Sequence, residues 1–377
     1  MPSLPTHPAA NSPADRPGDR RLVWLPLRGG RRALFLGAYC LFCAGLCFAA
    51  AALYWKLQTG APLTQSVSVW DYHYPELRAS ELRDLPRERN DGTFDVLLLG
   101  GSVLEPAWGD VERELRQRLE QECGDNYRLI NLGRSAHTSR DSLLKYGHIE
   151  DARFDLVINY DGINDVRMNN CRREIFRDDY SHCSWYRSFD QRLAAGTISL
   201  PAAVLQQIET LGESIGRGPP ASDVEAGFGC DIKTPGPFRK NLEAILELAA
   251  QRGDTVLLQT FAWHLPADYS RERFERGELD YDLRSDGRSC AAEMWSKPGC
   301  IGPIVEAQND EVRSLVSKRP EVLLVDQAKL LPGGRENFVD LCHLTAAGSR
   351  RFVDNLWPAV EELHRRWQAR SSRADGE

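Results

Sequence analysis

The stretch DVLLLGGSVLEP, Asp95–Pro106, sets the reading of the whole chain. A short apolar run stops at two glycines and a serine. Such a run, bounded by glycine, reads as a strand buried on both faces, as in a parallel sheet. Ser102 then stands at the carboxyl end of that strand. Three uses compete for it: a turn or helix cap, a phosphate cradle, or the seat of a nucleophile. A cradle needs GxxxxGK[ST] or GxGxxG, and neither occurs in the sequence.

The rest of the chain supplies the context. After the strand at 94–101, the spacing of Val111, Leu115 and Leu119 predicts a helix over 110–123, and 127–133 reads as a second strand. A short helix follows over 139–149, with Ser139 as a candidate N-cap, then a third strand over 154–162. Helices are expected at 238–251 and 304–318, and strands at 254–263 and 321–327. A closing helix spans 344–367, with Thr345 as N-cap and a kink expected at Pro358. Strands alternating with helices predict an α/β fold with a central parallel sheet covered on both faces.

In such sheets ligands sit beyond the carboxyl ends of the strands. Ser102 follows strand one. Gly133, in NLGRSAHTS, follows strand two, and Asn164, in YDGIND, follows strand three. Asp340 and His343, in FVDLCH, precede the last helix. The set suits acyl chemistry. A serine hydroxyl attacks slowly until a base takes its proton, His343 can be that base, and Asp340 can orient its imidazole. N–H groups of Ser102 and Gly133 and the Asn164 carboxamide can stabilise an oxyanion.

These four blocks resemble the GDSL/SGNH hydrolase superfamily: GGSV for its Gly-Asp-Ser-Leu block, then Gly133, then Asn164 in GIND, then Asp340 and His343 in DLCH. The resemblance covers roughly 94–165 and 320–357. It implies a three-layer α/β/α, flavodoxin-like fold and ester or acyl chemistry. It makes Ser102 the nucleophile, His343 the base and Asp340 its partner, with Ser102, Gly133 and Asn164 as the oxyanion hole. Gly101 replaces the Asp of the first block, a position outside the chemistry, and Val103 replaces Leu conservatively. Rival readings are a cap for Ser102, turn residues for Asn164 and Asp165, and His137 or His264 as the base. Neither rival histidine has an Asp three residues before it. Trp263, Asp161 and the patch 178–190 are candidates for lining the pocket.

The flanks set the location. Residues 1–21 carry five prolines and few apolar residues, and read as disordered. Ala33–Trp55 has no charge or proline over 23 residues, enough to span a bilayer. Arg28, Arg31 and Arg32 precede it, so the positive-inside rule places the N-terminus in the cytoplasm and the rest outside. A cleaved signal peptide is the alternative, disfavoured by the length of the run.

The expected organisation is a disordered cytoplasmic segment 1–32, a transmembrane anchor 33–55, a stalk 56–92, a hydrolase-like domain 93–368 and a disordered tail 369–377. Two stretches, 166–236 and 265–303, are too long for plain connections and read as insertions that build or cover a site. Ten cysteines are present, three of them in the apolar run. Outside the cytoplasm, Cys171/Cys183 and Cys290/Cys300 are candidate disulfides, with Cys123, Cys230 and Cys342 offering other pairings. The seven outer cysteines contain no CxxC pair, so no metal is expected, and no cofactor is implied.

The net charge of −7 becomes −11 beyond residue 32, which argues against nucleic acid as a partner. The resulting expectation is a membrane-anchored extracytoplasmic serine esterase, periplasmic in a bacterium, acting on an acyl ester, with acylated glycan as one candidate. The alternatives are an O-acyltransferase acting on polysaccharide and a non-catalytic binding module in an envelope assembly.

Overall fold

The computed structural model describes residues 29–78, 82, 85, 92–217, 228–284 and 287–374. The segment 1–28, expected to be disordered, lies outside the described residues, as does 375–377 of the expected tail. Two compact units divide the chain at Tyr54/Trp55.

The first unit contains most of α1, Gly29–Thr59, a helix long and apolar enough to cross a membrane. It has no polar face, and its apolar side chains are exposed along the run.

The second unit holds the sheet. Along the chain come β1 (Val67–Ser68), α2 (Val69–His73), β2 (Phe94–Gly100), α3 (Val111–Cys123), β3 (Tyr127–Asn131), α4 (Ser139–His148), β4 (Leu156–Tyr160) and α5 (Ile163–Arg167). Then follow α6 (Ser184–Leu193), β5 (Thr197–Ile198), α7 (Leu200–Arg217), α8 (Pro235–Arg252), β6 (Thr255–Gln259) and α9 (Arg271–Glu275). The chain closes with α10 (Pro298–Ser317), β7 (Leu323–Val325), α11 (Gln327–Leu330) and α12 (Ala346–Ala374).

Five strands form one parallel sheet in the order β3-β2-β4-β6-β7. Alternation along β2 divides the core. Val96 and Leu98 face a layer built from α3 and α12, with Leu115 and Phe352. Leu97 and Leu99 face α4, α8 and α10, with Tyr146 and Leu242. The result is a three-layer α/β/α sandwich. From β2 the chain steps to β3 on one side and then to β4 on the other, so the order reverses about β2. Ligands bind at such a switch point.

Several boundaries move from expectation. The α4 N-cap is Thr138, not Ser139: Thr138 accepts from Arg140 N–H while Asp141 returns a bond to the Thr138 N–H, a capping box. Helix α10 starts at Pro298, six residues earlier than expected, because Pro298 occupies an N-terminal position that needs no donor. Thr345 caps α12, accepting from Gly348 N–H at 2.9 Å, and the helix runs on past Pro358 into the segment expected to be frayed.

The described part of 56–92 does not stand off as a stalk. In the described part, Val69, Tyr72 and Tyr74 are buried in the second unit, and β1 pairs antiparallel with β5 from the first insertion. The disulfide also differs. It joins Cys230 to Cys300, while Cys171, Cys183 and Cys290 are in no disulfide. Sequence proximity favoured a short loop, but the start of α10 packs beside 228–230, at the end of the other insertion.

Candidate active site

Ser102 opens a single 3-10 turn, Ser102–Leu104, directly after β2. It does not cap α3, which begins only at Val111. Its Oγ lies 2.8 Å from Nε2 of His343, and Nδ1 of His343 lies 2.8 Å from Oδ2 of Asp340. All three side chains are buried. An ionised carboxylate only accepts hydrogen bonds, so Nδ1 carries the ring proton and Nε2 is left to accept from the serine hydroxyl.

The Asp340 carboxylate is fully engaged. Oδ1 accepts from the N–H groups of Cys342 (3.0 Å) and His343 (2.9 Å), and Oδ2 also accepts from Cys290 N–H at 2.8 Å. Burial acts to raise its pKa, but the interaction with His343 and these bonds outweigh burial and hold it below the usual range.

Asn164 sits near the start of α5. Its Nδ2 donates to the main-chain oxygen of His137 at 2.8 Å, which leaves the second Nδ2 hydrogen available. The absence of a side chain at Gly101 permits this placement, because a Cβ there would lie 2.8 Å from Asn164 Nδ2. Gly162, which introduces α5, has φ 155° and would press a Cβ onto Phe261, so this turn demands glycine. Ser102, Asn164, His137 and Asp161 border one small enclosed space at the switch point.

Gly133 donates its N–H to Oδ1 of Asn131 at 2.8 Å. Its need for glycine is steric: a Cβ would approach Leu104 Cβ to 2.7 Å. The loop then turns at Ala136, whose φ of 64° is uncommon for a residue with a side chain.

The rival bases have other partners. His137 Nδ1 is 2.9 Å from Lys145 Nζ, and burial followed by the Lys145 charge lowers its pKa to about 3. His264 packs against Tyr281 and Phe338. The Trp263 indole donates to Glu306 at 3.0 Å. Burial pushes the Cys342 thiol well above its ordinary pKa, which suits a packed residue and not a nucleophile. The patch 178–190 sends Tyr180 inward, where its hydroxyl donates to Asp165 at 2.8 Å.

Trp108 has no motif to mark it in the sequence. Its ring stacks on the His343 imidazole, with centroids 4.4 Å apart and planes 19° apart. The second insertion braces it: Arg284 donates to the Trp108 carbonyl at 3.2 Å and Arg288 to the Ala107 carbonyl at 2.7 Å.

Ser102, Asn164 and the Asp340–His343 pair are thus brought together at the switch point of the parallel sheet. No family model and no curated protein matches the sequence. Solved structures similar to the chain include a GDSL-like lipase from Bacteroides thetaiotaomicron, at 14% identity over 77% of this chain and 97% of that one, with TM-score 0.43. TesA is similar at 17% identity over 71% and 99%, with TM-score 0.39. An acetyl xylan esterase is similar at 17% identity over 71% and 99%, with TM-score 0.38.

Proposed function

We propose that this protein is a serine ester hydrolase, anchored by α1 and working outside the cytoplasmic membrane. One observation carries the reading: the unbroken Ser102–His343–Asp340 chain at 2.8 and 2.8 Å, with the Asn164 amide beside it. The Ser102 proton passes to His343 Nε2 as Oγ bonds to the ester carbonyl carbon. The negative charge on the carbonyl oxygen is met by Ser102 N–H and Asn164 Nδ2. Collapse breaks the ester C–O bond, and the leaving alkoxide takes the proton from His343. Water then repeats the sequence on the acyl-enzyme, and Ser102 regains its proton.

An acylated glycan is the favoured substrate class. The space beside the 102–106 turn is bordered by Glu105, Glu112, Arg116, Asn131 and Arg134, which can meet hydroxyls, and by apolar groups that include Leu82, Pro106 and Leu132. The arginines before α1 and the acidic chain after it support the outward topology.

Turnover of short acyl esters and acetylated oligosaccharides by the full chain tests the chemistry, alongside Ser102→Ala. The variant is expected to fold normally, to lose turnover and to resist a serine-directed phosphonate. Near-parental turnover by it would show that Ser102 is only a turn residue. A reporter fused after residue 377 should be active only outside the membrane, and a cytoplasmic signal would reject the topology.

A further inference from the structure

Beneath the 133–138 loop lies a set of ionisable side chains with no part in the proton transfers at Ser102. Lys145, on α4, has no exposed side-chain surface. Its Nζ donates to the Leu132 carbonyl and to Nδ1 of His137, and it lies 3.3 Å from Oε1 of Glu76. The Glu76 side chain is equally buried, and neither of its oxygens accepts a hydrogen bond of good geometry among the described residues. The Lys145 ion pair is therefore its main compensation, with His137 Nδ1 3.7 Å away. Asp141 faces the same group, held by Tyr74 and Tyr186 hydroxyls and by Thr138 N–H. Asp161 adds a further carboxyl whose charge bears on Lys145.

This cluster reaches Asn164 through the main-chain oxygen of His137. Lys145 holds the His137 side chain and the Leu132 carbonyl, at the two ends of the loop. The His137 carbonyl accepts one Nδ2 hydrogen of Asn164 at 2.8 Å and so fixes the plane of that amide. A displaced oxyanion donor slows the chemistry even where substrate still binds. A buried ion pair is also a poor means of stability alone, because apolar residues of similar volume often serve as well or better.

We propose that Glu76 and Lys145 are positioning residues for Asn164: their ion pair fixes His137, and the His137 carbonyl aims the Asn164 amide at the oxyanion. The segment between α1 and the sheet thereby completes the active site. This rests on the serine-hydrolase reading above.

The test compares the parent full chain in detergent, Lys145→Met, and the double variant Glu76→Leu/Lys145→Met. The single change strands a buried carboxylate and should lower the unfolding midpoint. The double change removes both members of the pair, leaves Asp141 with its Tyr74, Tyr186 and Thr138 hydrogen bonds, and should restore most of it. Its kcat is nonetheless expected to stay down by about 10–100-fold with KM within about twofold, the signature of misplaced catalytic geometry. A double variant with restored midpoint and parental kcat would overturn the proposal, since the pair would then be structural only. If the double variant fails to fold, Glu76→Gln replaces it with the same two readouts. An inactive parent would sink the hydrolase reading instead. The inference would then be judged on the Asn164 side-chain NH2 signals in NMR: merging and faster exchange in the variant support it, and unchanged lines overturn it.

Discussion

At the scale of single residues, the site depends on small distances around Asn164 and His343. Gly101→Ala places a methyl 2.8 Å from Asn164 Nδ2 and 3.4 Å from the His137 carbonyl, so the amide must move. We expect kcat on an ester substrate to fall about tenfold or more while the unfolding midpoint barely changes. Unchanged kcat would mean that Asn164 does not serve the oxyanion. Trp108 covers one face of the His343 imidazole, which becomes cationic in the proposed reaction. An aromatic face near a cation is worth about 0.5–2 kcal/mol. Trp108→Ala should therefore slow turnover about 2- to 30-fold, and Trp108→Phe should recover most of it. Equal losses in both variants would point to the indole N–H or to loop packing as the cause.

At the scale of elements, α2 carries a titration that stability can report. His73 is buried against Phe189 and Trp185, and neither ring nitrogen has a hydrogen-bond partner among the described residues. Burial, and then the Arg192 charge, lower its pKa from 6.5 to about 4. Between those values the unfolded chain binds a proton that the folded chain does not. Stability is therefore lost as pH falls through this window, at up to about 1.4 kcal/mol per pH unit for this one group. His73→Phe keeps the aromatic packing and removes the group. Urea unfolding at pH 6.5 and pH 4.5 should show a smaller acid loss in the variant, and identical losses would reject the assignment. At the other end of the unit, Thr345→Ala removes the α12 cap and should cost about 1 kcal/mol. Calorimetry can read that directly.

At the scale of the whole molecule, one covalent link ties the first insertion to the helix that begins at the end of the second. Cys230 and Cys300 are 70 residues apart in sequence. On the loop-closure account a bridge of that span restricts the unfolded chain by about 4 kcal/mol. Non-reduced digests should yield a Cys230–Cys300 peptide pair, and reductant or Cys230→Ala should lower the unfolding free energy by a similar amount. A Cys290–Cys300 pair in the digest would contradict the fold of both insertions.

The sequence alone determined the parallel sheet, because buried strands must be apolar runs and their glycine stops punctuate them. It also determined Ser102, Asn164, Asp340 and His343 as one set, since each stands at a strand end or just before the last helix. Pairings between distant segments needed the tertiary structure. Which cysteine meets Cys300 depends on where two insertions pack, not on spacing. That the Gly133 N–H meets the Asn131 side chain is likewise set by the path of one loop. Trp108 over His343 and Glu76 beside Lys145 carry no local signature either. Each is placed by contacts across the core, where burial and hydrogen-bond satisfaction select partners that no periodicity records.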